Sequence, residues 1–209
     1  MGHKSIWSEA NSMERMEQLT SLAAESLQKR FILDLDQIMN TLKDNAEQIT
    51  LDLLNTLHCV FDQAGELQKA GAKGPLAYIS FSMLQSNLLL GKFSFQVDAY
   101  DERFLLDDNE TAFDWDFSLL LQNVKQDFET VGALLRKSIV RVQEYELYEL
   151  KKSYQMNYYS VAVGVLQQIL PLCLKQLLPC GIKLSPEIQF TFGSYMENQM
   201  SFYQWRQEE

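Results

Sequence analysis

The sequence predicts an α+β fold, predominantly helical, in which long amphipathic helices pack with a small antiparallel sheet. Apolar residues recur every three or four positions over most of the chain, and in two short stretches that period drops to two. The order of these patterns, helices, hairpin, helices, strand, argues against a parallel sheet, which needs strands and helices in alternation. With 209 residues, 46% hydrophobic and 22% charged, and only four prolines and nine glycines, the composition is that of a globular protein. It reads as a single domain over 1–209, with 1–33 as an N-terminal helix that protrudes or exchanges between copies.

The first helix is read from Asn11-Ser12-Met13-Glu14, which has the form of a capping box, to about residue 30. Residues 30–36, RFILDLD, fit a helix continuation, a kink, or an extended link that ends in an Asp34 cap. Leu35, Ile38, Leu42, Ala46, Ile49, Leu53, Leu57, Val60, Ala64 and Leu67 then fall on one helical stripe, with Lys43, Asp44, Glu47 and Asp52 outside it. A helix of that extent, roughly 50 Å at 1.5 Å per residue, needs a second long helix to pack along, in the same chain or in another copy.

Gly71 to Gly74 end this helix and Pro75 suits the first position of the next. Residues 75–90 carry Leu76, Ile79, Met83 and Leu90 at helical spacing, with a strand over 76–81 as the alternative. Phe93, Phe95, Val97 and Ala99 alternate with Ser94, Gln96 and Asp98, the two-residue period of a half-buried strand. Residues 100–103 then read as a turn and Phe104-Leu105-Leu106 as its antiparallel partner, giving a hairpin over about 92–106. A second long helix is read from about Asp116 through Val142, bending near 150–157, and another over about 158–178, kinked at Pro171. Ile188, Phe190 and Phe192 predict a strand over about 187–192, and a last helix or strand carries Met196, Met200, Phe202 and Trp205.

A net charge of -10 disfavours nucleic acid, whose phosphates call for a surface of lysine and arginine. Three cysteines without a CxxC pair read as reduced thiols in a cytoplasmic protein, and Met1–Ile6 has no apolar leader region. Residues 161–181 approach the length of a membrane span, but Gln167, Gln168, Lys175 and Gln176 interrupt them, so a soluble chain without a membrane partner is expected.

No GxGxxG, P-loop or GxSxG motif is present. His58 and Cys59 are adjacent on a helix and point about 100° apart, so no catalytic residue and no cofactor is named. The acidic stretch from Asp98 to Asp116 holds eight acids against Arg103, a local charge of -7, while residues 117–186 hold eight bases and five acids. Those acids read first as a solvated face. The two alternatives are an oxygen-ligand metal site at Asp98, Asp101, Glu102, Asp107 and Asp108, serving a metal-dependent enzyme, and a docking surface for a basic partner such as Arg136, Lys137 and Arg141 of a second copy. Aromatic residues gather around the expected sheet, and Tyr78, Phe95, Tyr100, Trp115 and Phe190 are the candidate walls of a pocket for a small apolar ligand. The leading expectation is a non-enzymatic interaction or regulatory module, a homodimer assembled through its long N-terminal helices. A ligand sensor built on the aromatic pocket is the alternative.

Overall fold

The computed structural model describes residues 6–90, 92–120, 124–177 and 181–207, and it has an α+β fold. In chain order the elements are α1 (Ile6–Asp44), α2 (Ala46–Lys69), β1 (Leu76–Met83), α3 (Gln85–Leu90), β2 (Ser94–Tyr100), β3 (Phe113–Asp116), α4 (Val124–Ser138), α5 (Glu144–Leu177), β4 (Leu184–Ser194) and β5 (Gln199–Arg206). By their contacts the residues divide into two compact units: one from residues 6–40 and 124–160, the other from 41–120 and 161–207.

Several boundaries differ from the sequence reading. Asn11 lies inside α1, which starts at Ile6. The helix also runs straight through residues 30–36, because Asp34 turns its carboxylate inward to accept a bond from the Tyr158 hydroxyl at 2.6 Å. The break comes at Asn45, whose side-chain amide folds back onto the Thr41 carbonyl at 2.9 Å. Residues 76–83 form a strand, since the alternation Ile79-Ser80-Phe81-Ser82-Met83 outweighs the coarser helical spacing. The helix expected from Asp116 begins at Val124, after β3 and a 3-10 turn at Ser118–Leu120. It stops at Ser138, and Arg141 then adopts a left-handed backbone with φ 55°. From Glu144, α5 continues without interruption through 150–157 and through Pro171.

The first unit is helical. Leu19, Ala23, Leu27 and Ile38 of α1, Val124, Val131 and Leu135 of α4, and Leu150, Tyr154 and Tyr158 of α5 are buried in it. A chain of polar groups crosses this core. Arg30 pairs with Asp127 at 2.9 Å, Tyr154 donates to Asp127 at 3.0 Å, and the Tyr154 and Tyr158 hydroxyls lie 3.0 Å apart. Beside it, Arg15 of α1 holds Glu146 of α5 and donates to the Val140 and Arg141 carbonyls, which ties the α4–α5 connection to α1.

The second unit is built on a five-stranded sheet of order β3-β2-β1-β4-β5. The sheet is mixed, which corrects the expected antiparallel one: β1 pairs antiparallel with β2, but β4 lies parallel to β1, with Ile79 opposite Phe190 and Phe81 opposite Phe192. Gln68, at the end of α2, supplies the reason. Its buried amide donates to the carbonyls of Gly74 and Lys183, both at 2.8 Å, and accepts from the Lys183 backbone N–H at 2.8 Å. Both strands therefore start from the same point, each just after a helix, and can only run the same way. The expected return strand at 104–106 is a 3-10 turn, and the true partner of β2 is β3, with Phe95 opposite Trp115. The expected strand at 187–192 is extended to Leu184–Ser194, and β5 pairs with its outer edge.

Pleating gives this sheet two unlike faces. Ile79, Phe81, Phe95, Val97, Trp115, Phe190 and Phe192 point to one side and are buried, alongside Leu53, Leu57, Val60, Phe61 and Ala64 of α2 and Ala162, Leu166 and Leu170 of α5. Tyr78, Ser80, Ser82, Gln96, Asp98, Tyr100, Gln189 and Thr191 point to the other. Within α5 an 18-residue window reaches a mean hydropathy of 1.3, so by length and composition alone this helix is apolar enough to cross a membrane.

Candidate functional site

The acidic segment turns inward at three of its eight acids. Lys73, in the turn between α2 and β1, has a fully buried side chain that pairs with the equally buried Asp107 and donates to the Asn109 carbonyl at 2.6 Å. Arg103 bridges Asp101 at 2.8 Å and Asp107 at 3.2 Å. Asp101 also accepts from the Gly74 and Arg103 backbone N–H groups, and Asp107 from those of Asp101 and Asn109. The Arg103 guanidinium, followed by these backbone donors, holds the Asp101 carboxyl at about 2. Two cations and two anions thus pin the β2–β3 connection to the α2–β1 turn.

Asp98 is separate from this cluster. It sits on the polar face of the sheet, 1% exposed, accepting from Gln96 at 2.6 Å and from the Thr111 N–H at 3.2 Å. Burial pushes its carboxyl above the usual range, against the pull of those two donors. Neighbouring Tyr100 is raised as well, by burial and then by the Asp98 charge. Of the five proposed metal ligands, Asp101 and Asp107 meet around Lys73 and Arg103, Asp98 lies elsewhere, and Glu102 and Asp108 face solvent. Among the described residues, no three His, Cys, Asp or Glu side chains gather as a metal would require.

The aromatic candidates are split between the two faces. Tyr78 and Tyr100 flank Phe104 on the polar face, with ring centroids 4.6 and 5.6 Å from it. Phe104 reaches them from a left-handed backbone, φ 53°. Phe95, Trp115 and Phe190 lie on the opposite face, at most 1% exposed, where Phe95 and Trp115 pack with centroids 5.8 Å apart. The five do not line one pocket.

Sequence reasoning gave no weight to a cleft of about 810 Å³ in the second unit, between the C-terminal half of α2 and the approach to β4. Its floor includes Phe61, Phe113 and Ile182, and its rim includes Cys59, Asp62 and Lys183. Two glycines shape it. Gly65 lets Ile182 pack against α2, since a Cβ there would lie 3.2 Å from Ile182 Cγ2, and Gly181, with φ 73°, where a side chain is strained, has nothing within 4 Å of the place a Cβ would take. The available signal was Gly65, which stands beside Ala64 on the buried stripe of α2 without contributing to it.

Cys59 is exposed, whereas Cys173 is buried, and burial pushes its thiol up to about 11, away from the thiolate that reacts. His3 and Cys180 lie outside the described residues. Compared with known proteins, the chain matches no family model, no curated sequence and no solved structure.

Proposed function

We propose that this chain is a non-enzymatic interaction module that assembles with a second copy of itself through α1. The observation that carries this reading is the outer side of that helix. Leu22, Ile32, Leu33 and Met39 are 47%, 56%, 72% and 49% exposed, while Leu19, Ala23, Leu27 and Ile38 already fill the inner side. The helix has 39 residues, about 58 Å at 1.5 Å per residue, well beyond the three to four turns common in globular proteins. Large apolar groups set along such a length favour a partner helix, since each one fully buried contributes about 1.5–3 kcal/mol. The Glu25–Lys29 pair lies on the same side, at 2.6 Å, and adds polar groups for register.

The test is the solution mass by light-scattering chromatography over a hundredfold range of concentration. The expected result is a dimer, converted to a monomer by Leu33→Glu with the far-UV circular dichroism unchanged. A wild-type chain that stays monomeric throughout the range removes the reading.

A further inference from the structure

We propose that the cleft between α2 and the approach to β4 binds a small zwitterion with an apolar side chain, of the class of an aromatic amino acid. All the cleft residues belong to the second unit, so the proposal stands independently of self-association through α1.

The size fits first. About 810 Å³ falls within the roughly 300–1,000 Å³ of small-ligand sites. The polar groups on the walls then divide into those already engaged and those left over. Gln68 is bound to the backbone at both strand entries, and Gln63 donates to the Glu110 carbonyl at 3.1 Å. Glu66 and Lys69 pair with each other at 2.7 Å. Among the described residues the side chains of Asp62 and Lys183 make no hydrogen bond or ion pair, Asp62 acts on Lys69 only through space, and both are exposed. One anion and one cation therefore remain at the rim, above the apolar surface of Phe113 and Ile182.

That remainder selects a ligand class. The lining holds two acids, Asp62 and Glu66, and two bases, Lys69 and Lys183, so a ligand with net charge of either sign meets as much repulsion as attraction. A molecule with an ammonium and a carboxylate on one carbon satisfies both unengaged groups at once, its ammonium toward Asp62 and its carboxylate toward Lys183. Its side chain then has the open backbone of Gly181 to lie against, with Phe113 and Ile182 as walls. An aromatic side chain uses this space best, because flat rings stack on Phe113 at little entropic cost.

The experiment is isothermal titration of the full chain with L-tryptophan, tryptamine and indole-3-propionate, which share one ring and differ only in charge. L-Tryptophan is expected to bind about tenfold or more tightly than either of the others, as one charge-assisted hydrogen bond implies. Lys183→Glu, a surface change that leaves the fold intact, should weaken L-tryptophan about tenfold and not weaken tryptamine. Gly65→Leu should abolish binding by displacing Ile182, which its Cβ would meet at 3.2 Å. In the wild type, L-tryptophan should slow alkylation of Cys59 by iodoacetamide. The proposal is overturned if none of the three compounds binds at millimolar concentration, if all three bind alike, or if Lys183→Glu leaves L-tryptophan binding unchanged.

Discussion

Replacing Lys73 with methionine isolates what the buried ion cluster contributes. Its ammonium lies where no water reaches, held by Asp107, the Asn109 carbonyl and the face of Tyr100, 6.0 Å from the ring centroid. Methionine keeps the length and apolar character of the stem and removes only the charge. Removing one partner of a buried pair costs roughly 3–5 kcal/mol, because the other charge is left uncompensated. Asp107 keeps Arg103 at 3.2 Å and two backbone N–H donors, but Arg103 is 47% exposed and partly screened. The loss should therefore sit near the low end, about 3 kcal/mol, a large share of the 5–15 kcal/mol typical of a domain. Urea unfolding followed by tryptophan fluorescence in a Trp7→Phe background reads it, since Trp115 and Trp205 both belong to the second unit. Adding Asp107→Asn to Lys73→Met neutralises the carboxylate that has lost its buried cation and should recover at least half of the loss. A single-variant loss below about 1 kcal/mol, or a double variant less stable than Lys73→Met alone, would refute the view that this pair is buried and coupled.

Two further substitutions test how the second unit is put together. Gln68→Leu removes three hydrogen bonds that set the starts of β1 and β4. It leaves the Gly74 carbonyl and the Lys183 N–H without a partner, while the Lys183 carbonyl keeps the Leu76 N–H at 3.0 Å, so urea unfolding should show a loss of at least about 2 kcal/mol, while the salt dependence stays that of the wild type. Asp98→Asn should act in the opposite direction at neutral pH. Burial raises the folded-state pKa of Asp98 above its unfolded value, so its contribution is fully present below the ordinary carboxylate pKa of about 3.9 and is lost as pH rises through the folded value. The asparagine variant should be the more stable at pH 7 and should lose that advantage at pH 4; equal stability profiles at both pH values would contradict the assignment.

The helices and the alternating strands were legible because each follows a local period. The stripe through Ile49, Leu53, Leu57, Val60 and Ala64 is the buried face of α2, and Phe95-Val97-Ala99 is the inward face of β2. What stayed illegible depended on partners distant in sequence. Whether β4 runs parallel or antiparallel to β1 cannot be read from either strand, since an alternating pattern looks the same in both directions. It is decided by Gln68 meeting Lys183, 115 positions away. The same holds for the acids. Asp98, Asp101 and Asp107 carry nothing in their own residue type to separate them from Glu102 and Asp108, and the arrival of Lys73, Gly74 and Thr111 makes them internal. A polar run in a sequence therefore overstates the charge left for function.

That correction bears directly on how two copies would meet. With Asp98, Asp101 and Asp107 withdrawn, the segment still presents Glu102, Asp108, Glu110, Asp114 and Asp116 to solvent, all in the second unit. The first unit presents Arg136, Lys137 and Arg141, of which Arg136 is already paired with Glu144 at 2.7 Å. Docking of these bases onto those acids would join unlike surfaces, and such a contact closes into a dimer only when it is made twice across a two-fold axis. It would also weaken steeply with salt, because exposed charges are screened over about 10 Å at 0.1 M. Contact along Leu22, Ile32, Leu33 and Met39 would be largely apolar, so it should persist or tighten as salt is raised. Running the Leu33→Glu experiment at 50 mM and 500 mM salt therefore separates the two. A dimer of unchanged mass at both concentrations, lost only in the variant, assigns assembly to α1. Dissociation of the wild type at high salt transfers it to the acidic segment, and the exposed side of α1 would then need a different explanation.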